Sequence, residues 1–195
     1  MSRTGNSIKT NGQQSKKNII EAARGFFSEY GYLGASMSDI ATRLNITKAA
    51  LYYHFAGKAE IFKNVLDQAF AELSQALNQA RAEKTPEKKL ENLIKAYLKF
   101  GAKEKNLTQA LVLKLAPHDA KITEHIAFLR GELIKLIEPV MEEVLASKKM
   151  VKQLDSWTYA SLLTGMMDGL LLEYSFFKRK VDPEEISGAI ISALF

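Results

Sequence analysis

The sequence predicts an all-α protein of about nine helices, and three observations carry that prediction. Apolar residues recur at spacings of three and four along most of the 195-residue chain, as they do on amphipathic helices. Strand-like alternation is scarce, and the chain has only four prolines. Hydrophobic residues make up 47% of the sequence, so the chain can bury a core in one large domain or two modest ones.

The first segment, residues 1–17, is rich in Ser, Thr, Asn, Gln, Gly and Lys and contains no apolar run. This composition is unlike a secretory signal, and we expect a flexible basic arm. Residues 18–60 form the first predicted domain, which opens with an amphipathic helix at residues 19–27.

Residues 36–58 have the pattern of two short helices joined by a tight turn. Ser36 and Asp39 form a Ser-x-x-Asp pattern, in which the hydroxyl accepts from a first-turn N–H and the carboxylate favours the positive end of the helix dipole. Asn45 lies at the turn, because Asn tolerates a left-handed backbone better than any residue except Gly. Thr47 is then the N-cap of the second helix. The pattern predicts a helix-turn-helix.

The second of these helices leaves polar and aromatic side chains on its outer face. Leu51 and Phe55, four residues apart, belong to the inner face. Lys48, Tyr52 and Tyr53 face outward, where they could bond phosphates and touch thymine methyl groups in a major groove. The two tyrosines could instead be half-buried packing residues, but neighbouring helical residues point about 100° apart, so both cannot be deeply buried. Double-stranded DNA is therefore the first candidate partner.

Four motifs follow one another along residues 18–66. They are Ile19-Ile20-Glu21-Ala22-Ala23-Arg24-Gly25-Phe26-Phe27 with Tyr30-Gly31-Tyr32, then Ser38-Asp39-Ile40-Ala41, then Thr47-Lys48-x-x-Leu51-Tyr52-Tyr53-His54-Phe55, and Lys58 at the head of the next helix. With these motifs, about a quarter of the chain resembles the DNA-binding domain of the tetracycline-repressor (TetR) family of bacterial transcriptional regulators. One departure is Asn45, where the family usually has Gly, and Asn can adopt the same conformation.

The resemblance implies a set of DNA contacts. It places phosphate contacts at Ser36, Thr47, Tyr53, His54 and Lys58, and base-edge contacts at Ser38, Lys48, Ala49, Ala50 and Tyr52. Lys58 has an independent reason to bind phosphate, because Gly57 begins a new helix whose N-terminal N–H groups attract anions. The alternatives are a solvated surface lysine at Lys58 and a hydrogen-bonded helix-end histidine at His54.

The distribution of charge agrees with a DNA-binding N-terminus. Residues 1–64 contain nine basic and four acidic side chains, whereas residues 65–195 contain 18 of each, so the formal net charge of +5 lies entirely in the first segment. Within the arm, Arg3, Lys9, Lys16 or Lys17 could lie along a minor groove, or the arm could be an unrecruited tail.

Residues 61–195 keep helical spacing and form the predicted regulatory and dimerisation domain. Further helices are expected from Lys58 to about 82, from Pro86 behind Thr85, at about 107–115, from 119 or 120 to about 146, at about 156–178, and at 183–194 behind Asp182. Pro139 is expected to kink or split the fourth of these.

The helix at 156–178 is apolar almost all round, so it must be covered on two sides. Asp168 and Glu173 interrupt it, which argues against a membrane span. Gly165 and Gly169 form a shallow strip on which a second copy of this helix could lie, although these glycines could serve another structural purpose. The family resemblance implies the same homodimer. We expect Gly165, Gly169, Leu172, Phe176 and Ile190 at that interface.

The resemblance also implies that a small ligand enters the C-terminal domain, changes the separation of the two recognition helices and releases DNA. A cavity there could be lined by apolar and aromatic residues, which could also be simple core. The candidates are Tyr97, Phe100, Leu111, Leu115, His118, His125, Phe128, Trp157, Met166, Met167, Tyr174 and Phe177. This lining favours an apolar or aromatic effector.

An enzyme is not expected. The chain has no cysteine, which excludes disulfides, thiolate metal sites and cysteine nucleophiles and suits a reducing cytoplasm. His118 and His125 are seven residues apart, but Pro117 places His118 in a loop, so a metal site is not expected and no cofactor is implied. No phosphate loop or nucleophile elbow occurs.

Two functions of different class remain. The first is a dimeric repressor released from a roughly palindromic operator by a small ligand. The second is a DNA-bound adaptor of the same fold, whose C-terminal domain binds a protein partner. A buried cavity of a few hundred cubic ångströms, on the order of a drug-sized pocket, would favour the first, and a filled core with an exposed apolar patch the second.

Overall fold

A computed structural model describes residues 4–113, 119–148 and 154–194, with side chains for 14–109, 119–148 and 154–194. Within those ranges it contains nine helices and no strand, which confirms the all-α prediction. The helices are α1 (Thr4–Gly34), α2 (Met37–Arg43), α3 (Lys48–His54), α4 (Lys58–Ala80), α5 (Pro86–Lys103), α6 (Lys105–Leu113), α7 (Ala120–Ser147), α8 (Ser156–Phe176) and α9 (Pro183–Leu194).

Helix α1 differs from the expectation at both ends. It begins at Thr4, so most of the segment expected to be a flexible arm is helical. That segment contains no proline, so the amphipathic helix that includes Ile19 can extend backwards through it. Near its other end the helix bends at Gly31, whose φ of 71° and ψ of 174° are not helical. The bend directs the chain towards α2.

Two clusters of buried apolar side chains form the interior. The N-terminal core consists of the buried residues of α1, α2, α3 and α4 as far as Ala69, together with Leu107 of α6 and the α7 residues Ile122, Ile126 and Leu129. The C-terminal core consists of the buried residues of α4 from Leu73 onward, α5, α7 from Leu133 onward, α8 and α9. Helix α4 therefore runs through both cores.

The expected domain boundary at residues 60 and 61 is accordingly not a break in packing. The first three turns of α4 bury Ile61, Phe62 and Val65 against the helix-turn-helix, and α6 and α7 also contribute to that core. A 23-residue helix with one continuous apolar stripe spans about 35 Å, which is long enough to contribute side chains to both cores.

The C-terminal helices follow the predicted order with three differences. Helix α7 continues through Pro139 as one helix and is not split. Helix α8 ends at Phe176, two residues early, because Lys178 adopts a left-handed φ of 53°. Helix α6 begins at Lys105, where Glu104 accepts from the amide of Thr108. In the described ranges no helix is long and apolar enough to cross a membrane.

Candidate nucleic-acid interface and ligand cavity

The turn between α2 and α3 has the predicted caps. The Ser36 hydroxyl accepts from the amide of Asp39 at 3.2 Å, and the Asp39 carboxylate accepts from the amide of Ser36 at 3.0 Å. Asn45 adopts the left-handed conformation, with φ at 54°. The Thr47 hydroxyl accepts from the amide of Ala50 at 3.1 Å. These bonds satisfy the first N–H groups of both helices and fix the angle between them.

One face of the helix pair is buried. Ile40 and Ala41 of α2, Leu51 of α3 and Phe55 behind it are all at most 4% exposed. They pack in the N-terminal core, where the side chain of Phe27 is completely buried. The small side chain of Ala41 leaves room for the crossing helix, and its carbonyl accepts from the amide of Ile46 at 3.0 Å. The opposite face of α3 is thereby left to solvent.

The predicted DNA contacts lie mainly on that solvent face. Tyr52 is 48% exposed and Tyr53 86% exposed, so neither is a core residue. Five of the predicted residues are also exposed, namely Ser36, Ser38, Thr47, Lys48 and Ala49, while Ala50 and His54 are partly buried. The ring of Tyr53 meets the ring of His54 edge-on at 5.2 Å between centroids. The face therefore presents hydroxyl groups, one ammonium and small apolar side chains.

Lys58 has a structural role that the sequence did not predict, because it bonds backbone carbonyls far from it in the chain. Its Nζ donates to the carbonyl oxygens of Tyr32 and Ala35, each at 2.9 Å, and lies 4.3 Å from the centre of the Tyr32 ring. Burial lowers the pKa of its ammonium group. Lys58 is thus not the solvated surface lysine that was the alternative to a phosphate ligand. It ties α4 to the bend before α2, and one of its three N–H groups remains for a phosphate.

Fewer basic side chains of the N-terminal domain are unpaired than its composition suggested. Arg24 is buried against carboxylates, and Arg43 lies 3.3 Å from Glu29. Among the described side chains of residues 14–66, the cations with no carboxylate within 4.0 Å are Lys48, Lys58 and Lys63. The unpaired positive charge is therefore concentrated on α3 and the start of α4.

An apolar cavity lies where the two cores meet. Its lining includes Leu66 and Leu107 of the N-terminal core and Leu73 and Leu133 of the C-terminal core. The remaining lining residues are Ala69, Phe70, Tyr97, Phe100, Gly101, Thr108, Leu129, Arg130 and Asp168. Its volume is about 40 Å³, enough for a few water molecules.

Three polar side chains form a bonded group inside this apolar lining. The Tyr97 hydroxyl donates to Asp168 Oδ1 at 2.5 Å, and Arg130 Nη1 donates to Asp168 Oδ2 at 2.8 Å. Burial, and then the neighbouring carboxylate, raises the pKa of the Tyr97 phenol well above its ordinary value. The group satisfies a carboxylate that is only 3% exposed, and Arg130 remains partly open to the cavity.

The residues predicted to line a ligand cavity are dispersed. Tyr97 and Phe100 do line it, whereas Met167 is fully buried in the C-terminal core. Phe128 and Trp157 differ from the prediction because they are 60% and 51% exposed and face away from it. Tyr174 lines an adjacent cleft, and His125 contacts Asp67. Met166 packs beside the C-terminal core, and Phe177 lies on the surface. The Leu111 side chain, Leu115 and His118 lie outside the described residues.

Sequence reasoning missed eleven of the thirteen lining residues, among them Arg130, Gly101 and Thr108. A signal existed for the first of them, since a carboxylate inside the apolar helix α8 requires a buried partner. Gly101 of α5 and Thr108 of α6 carried no such signal, because only the packing of these two helices against each other and against α8 brings them to the cavity.

The predicted dimer residues divide into two sets. Gly165 and Gly169 are exposed, and a Cβ added at either would meet no atom within 4 Å. Phe176 is 64% exposed and Leu172 is half-buried. Ile190 differs from the prediction, because it is 2% exposed and packs in the C-terminal core of its own chain. An apolar outer face of α8 is nevertheless left uncovered.

Helices α2 and α3 form a capped pair, and α3 exposes polar and basic side chains. This arrangement is that of a helix-turn-helix DNA-binding protein. Residues 19–65 match the family model described as bacterial regulatory proteins, tetR family. These residues therefore have the sequence of the DNA-binding domain of this family.

Two relatives differ in how much of the chain they share. The A-factor receptor protein of Streptomyces griseus is 42% identical over 55 residues, which are 28% of this chain and only 20% of that protein. The HTH-type transcriptional regulator YhgD of Bacillus subtilis is 25% identical over 180 residues, which are 90% of this chain and 92% of that one. The higher identity thus belongs to a short shared stretch, and the relative that matches most of the chain is less similar.

Solved structures share the whole fold. The transcriptional regulator FadR of Bacillus subtilis, in complex with stearoyl-CoA, has a TM-score of 0.77 at 19% identity and covers 90% of this chain and 95% of its own. AibR, in complex with isovaleryl coenzyme A and operator DNA, has a TM-score of 0.71 at 19% identity and covers 92% and 97%. The C-terminal helices thus share the fold of these structures as well.

Proposed function

We propose that this protein is a transcriptional repressor that binds a roughly palindromic DNA operator as a homodimer and is released by a ligand carrying an acyl chain. The observation that carries the DNA-binding part is the exposed face of α3, which presents Lys48, Tyr52 and Tyr53. Side-chain caps order the starts of both α2 and α3. In this geometry α3 enters the major groove, and the exposed hydroxyl groups and ammonium contact phosphates and base edges.

The outer face of α8 supports the dimer. Leu162, Gly165, Gly169 and Phe176 leave an apolar surface on a helix whose other side packs against α5 and α7. Two copies related by a twofold axis would cover that surface and place two α3 helices to read the two halves of a palindrome.

The cavity supports release by a ligand. It lies where the N-terminal core meets the C-terminal core, and the α4 residues Leu66, Ala69, Phe70 and Leu73 form one of its walls. A ligand larger than its 40 Å³ must push these walls apart, and α4 then carries the displacement to the helix-turn-helix. An acyl ligand is chosen because the lining is apolar and because FadR and AibR, which share the fold, hold acyl-coenzyme A molecules.

The small volume is also the one observation in favour of the alternative, a DNA-bound adaptor that binds a protein partner. An adaptor needs no ligand space, and its exposed apolar surface on α8 would receive the partner. The two functions differ in whether a small molecule weakens operator binding.

The test begins by selecting the operator from random double-stranded DNA with the full chain. A selected site with twofold symmetry, bound by two chains, supports the dimeric reader, whereas a complete failure to select any sequence contradicts it. Operator affinity is then measured with and without stearoyl-CoA and isovaleryl-CoA. Loss of operator affinity supports the repressor, and indifference to both molecules in a chain that still selects its site supports the adaptor.

A further inference from the structure

A second, more open space lies beside the apolar cavity and has the opposite chemistry. It is a cleft of about 480 Å³ between the α5–α6 junction and the end of α8. Four cations line it, namely Lys105, Lys178, Arg179 and Lys180, and its lining includes no carboxylate. We call this space the basic cleft.

The cations of the basic cleft are not neutralised by the protein. Among the described residues, none of the four has a carboxylate within 4.0 Å, whereas Lys88, Lys89 and Lys95 of α5 all have such partners. Four unpaired cations around one concave surface raise the local positive potential and attract an anion.

The backbone holds part of this group in place. The amide of Arg179 donates to the carbonyl of Tyr174 at 2.8 Å, and its guanidinium lies 4.9 Å from the centre of the Tyr174 ring. Lys178 adopts its left-handed φ in the same turn, where its amide donates to the carbonyl of Ser175 at 3.3 Å. The charged turn is thus ordered before any anion arrives, which lowers the entropic cost of binding one.

The basic cleft and the apolar cavity share Gly101 and Thr108 as lining residues. Leu171, which also lines the cleft, packs so closely on Gly101 that a Cβ added there would lie 2.3 Å from its Cδ1 atom. A shift of the Leu171 side chain would therefore join the two spaces. A molecule with an apolar tail and an anionic head could then occupy both.

We propose that the basic cleft binds the phosphate-bearing head of an acyl-coenzyme A, while the acyl chain passes Gly101 into the apolar cavity. The inference rests on the effector class of the proposed function and adds where each part of the ligand is held. Arg179 can bond a phosphate through two N–H groups, and the three lysines supply point charges. Gln109 and Ser175, which are hydrogen-bonded at 2.7 Å in the same cleft, offer polar partners for the amide groups of the head.

The test compares three ligands, stearoyl-CoA, stearate and coenzyme A, in titrations with the full chain. Wild-type protein is expected to bind stearoyl-CoA more tightly than either part alone, because the two spaces are filled together. The variant Lys105→Gln/Lys180→Gln removes two cations without touching the Arg179–Tyr174 contact. It is expected to bind stearoyl-CoA about tenfold or more weakly, with stearate binding unchanged.

Lys84→Gln/Lys135→Gln is the matched control, because it removes the same charge from exposed positions outside the cleft. It is expected to leave stearoyl-CoA affinity unchanged. Equal affinity of the wild-type and cleft variants for stearoyl-CoA would overturn the basic cleft as the head-group site, and so would an equal loss in the control. Failure of the wild type to bind stearoyl-CoA would overturn it too.

Operator affinity is also measured without ligand. This measurement distinguishes an error about the head-group site from an error about DNA binding. Both double variants are expected to bind the selected operator as the wild type does, since none of the four lysines lies in the helix-turn-helix domain. If they do, an unchanged stearoyl-CoA affinity contradicts the head-group site alone and leaves the DNA reader intact.

Discussion

Arg24 of α1 and Glu104 at the end of α5 form a largely buried ion pair that joins the N-terminal helices to α5. Arg24 Nη2 lies 2.9 Å from Glu104 Oε1, and the Glu104 side chain is 7% exposed. The same guanidinium also bonds both carboxylate oxygens of Glu72 on α4. These bonds, first of all those to Glu72, raise the pKa of Arg24 above its ordinary value.

Loss of the Arg24 charge should destabilise the protein strongly, because it leaves the Glu104 carboxylate buried without a cation. We expect Arg24→Met to lower the free energy of unfolding by about 3 kcal/mol. Arg43→Met is the control, since Arg43 pairs with Glu29 on the surface and its loss should cost less than about 1 kcal/mol. Urea denaturation measures both. Similar small losses in the two variants would contradict a structural role for the buried pair.

The Arg24–Glu72 pair should also make stability depend on acid. Arg24 lowers the pKa of the Glu72 carboxyl below its ordinary value of 4.5. Because the folded-state pKa is the lower one, the stabilisation is present above pH 4.5 and is lost as the pH falls through the folded value. The Tm difference between wild type and Glu72→Gln should therefore be largest near neutral pH and narrow in acid. Glu124→Gln, at an exposed position, should show no such trend.

The local structure of the helix-turn-helix could be predicted because it depends on residues close in sequence. A capping Ser36, a left-handed Asn45 and a capping Thr47 each act within three or four residues, so the spacing alone specified them. The outward tyrosines followed from helical periodicity. The same reasoning gave the helices of the C-terminal domain to within a few residues.

Contacts between distant helices could not be read in this way. Lys58 bonds carbonyls 23 and 26 residues earlier, and Arg24 meets Glu104 80 residues later. Ile190 illustrates the same limit, since a helix with apolar residues on two faces does not reveal which face meets its own domain. The cavity depends on packing between α4, α5, α6, α7 and α8, and periodicity carries no information about such gaps.

Two glycines in α1 should respond oppositely to alanine. Gly31 has a φ of 71° and a ψ of 174°, which a residue with a Cβ adopts only under strain, so Gly31→Ala should cost about 2 kcal/mol. Gly25 has a helical backbone and an open surface around its Cα, so Gly25→Ala should stabilise the helix by up to about 1 kcal/mol. Thermal unfolding of the two variants and the wild type measures both changes in stability. Equal effects of the same sign would mean that the bend at Gly31 is not required.

Tyr53 and Lys58 should affect operator binding in different ways, although the family resemblance implies a phosphate contact for both. Tyr53→Phe removes only the hydroxyl of a ring that is 86% exposed, so we expect operator affinity to fall about tenfold while Tm stays unchanged. Lys58→Ala also removes the bonds to the carbonyls of Tyr32 and Ala35, so it should lower both Tm and affinity.

Lys48 provides the comparison for base readout, because it is exposed near the start of α3 and has no carboxylate partner. Lys48→Ala should change which bases random-sequence selection recovers. Tyr53→Phe should instead recover the wild-type site with lower affinity at every salt concentration. For the wild type, the logarithm of affinity should fall with the logarithm of salt concentration by about 0.9 for each phosphate contacted. Affinity that does not change with salt, or that survives all three substitutions, would mean that α3 and the start of α4 do not contact the operator.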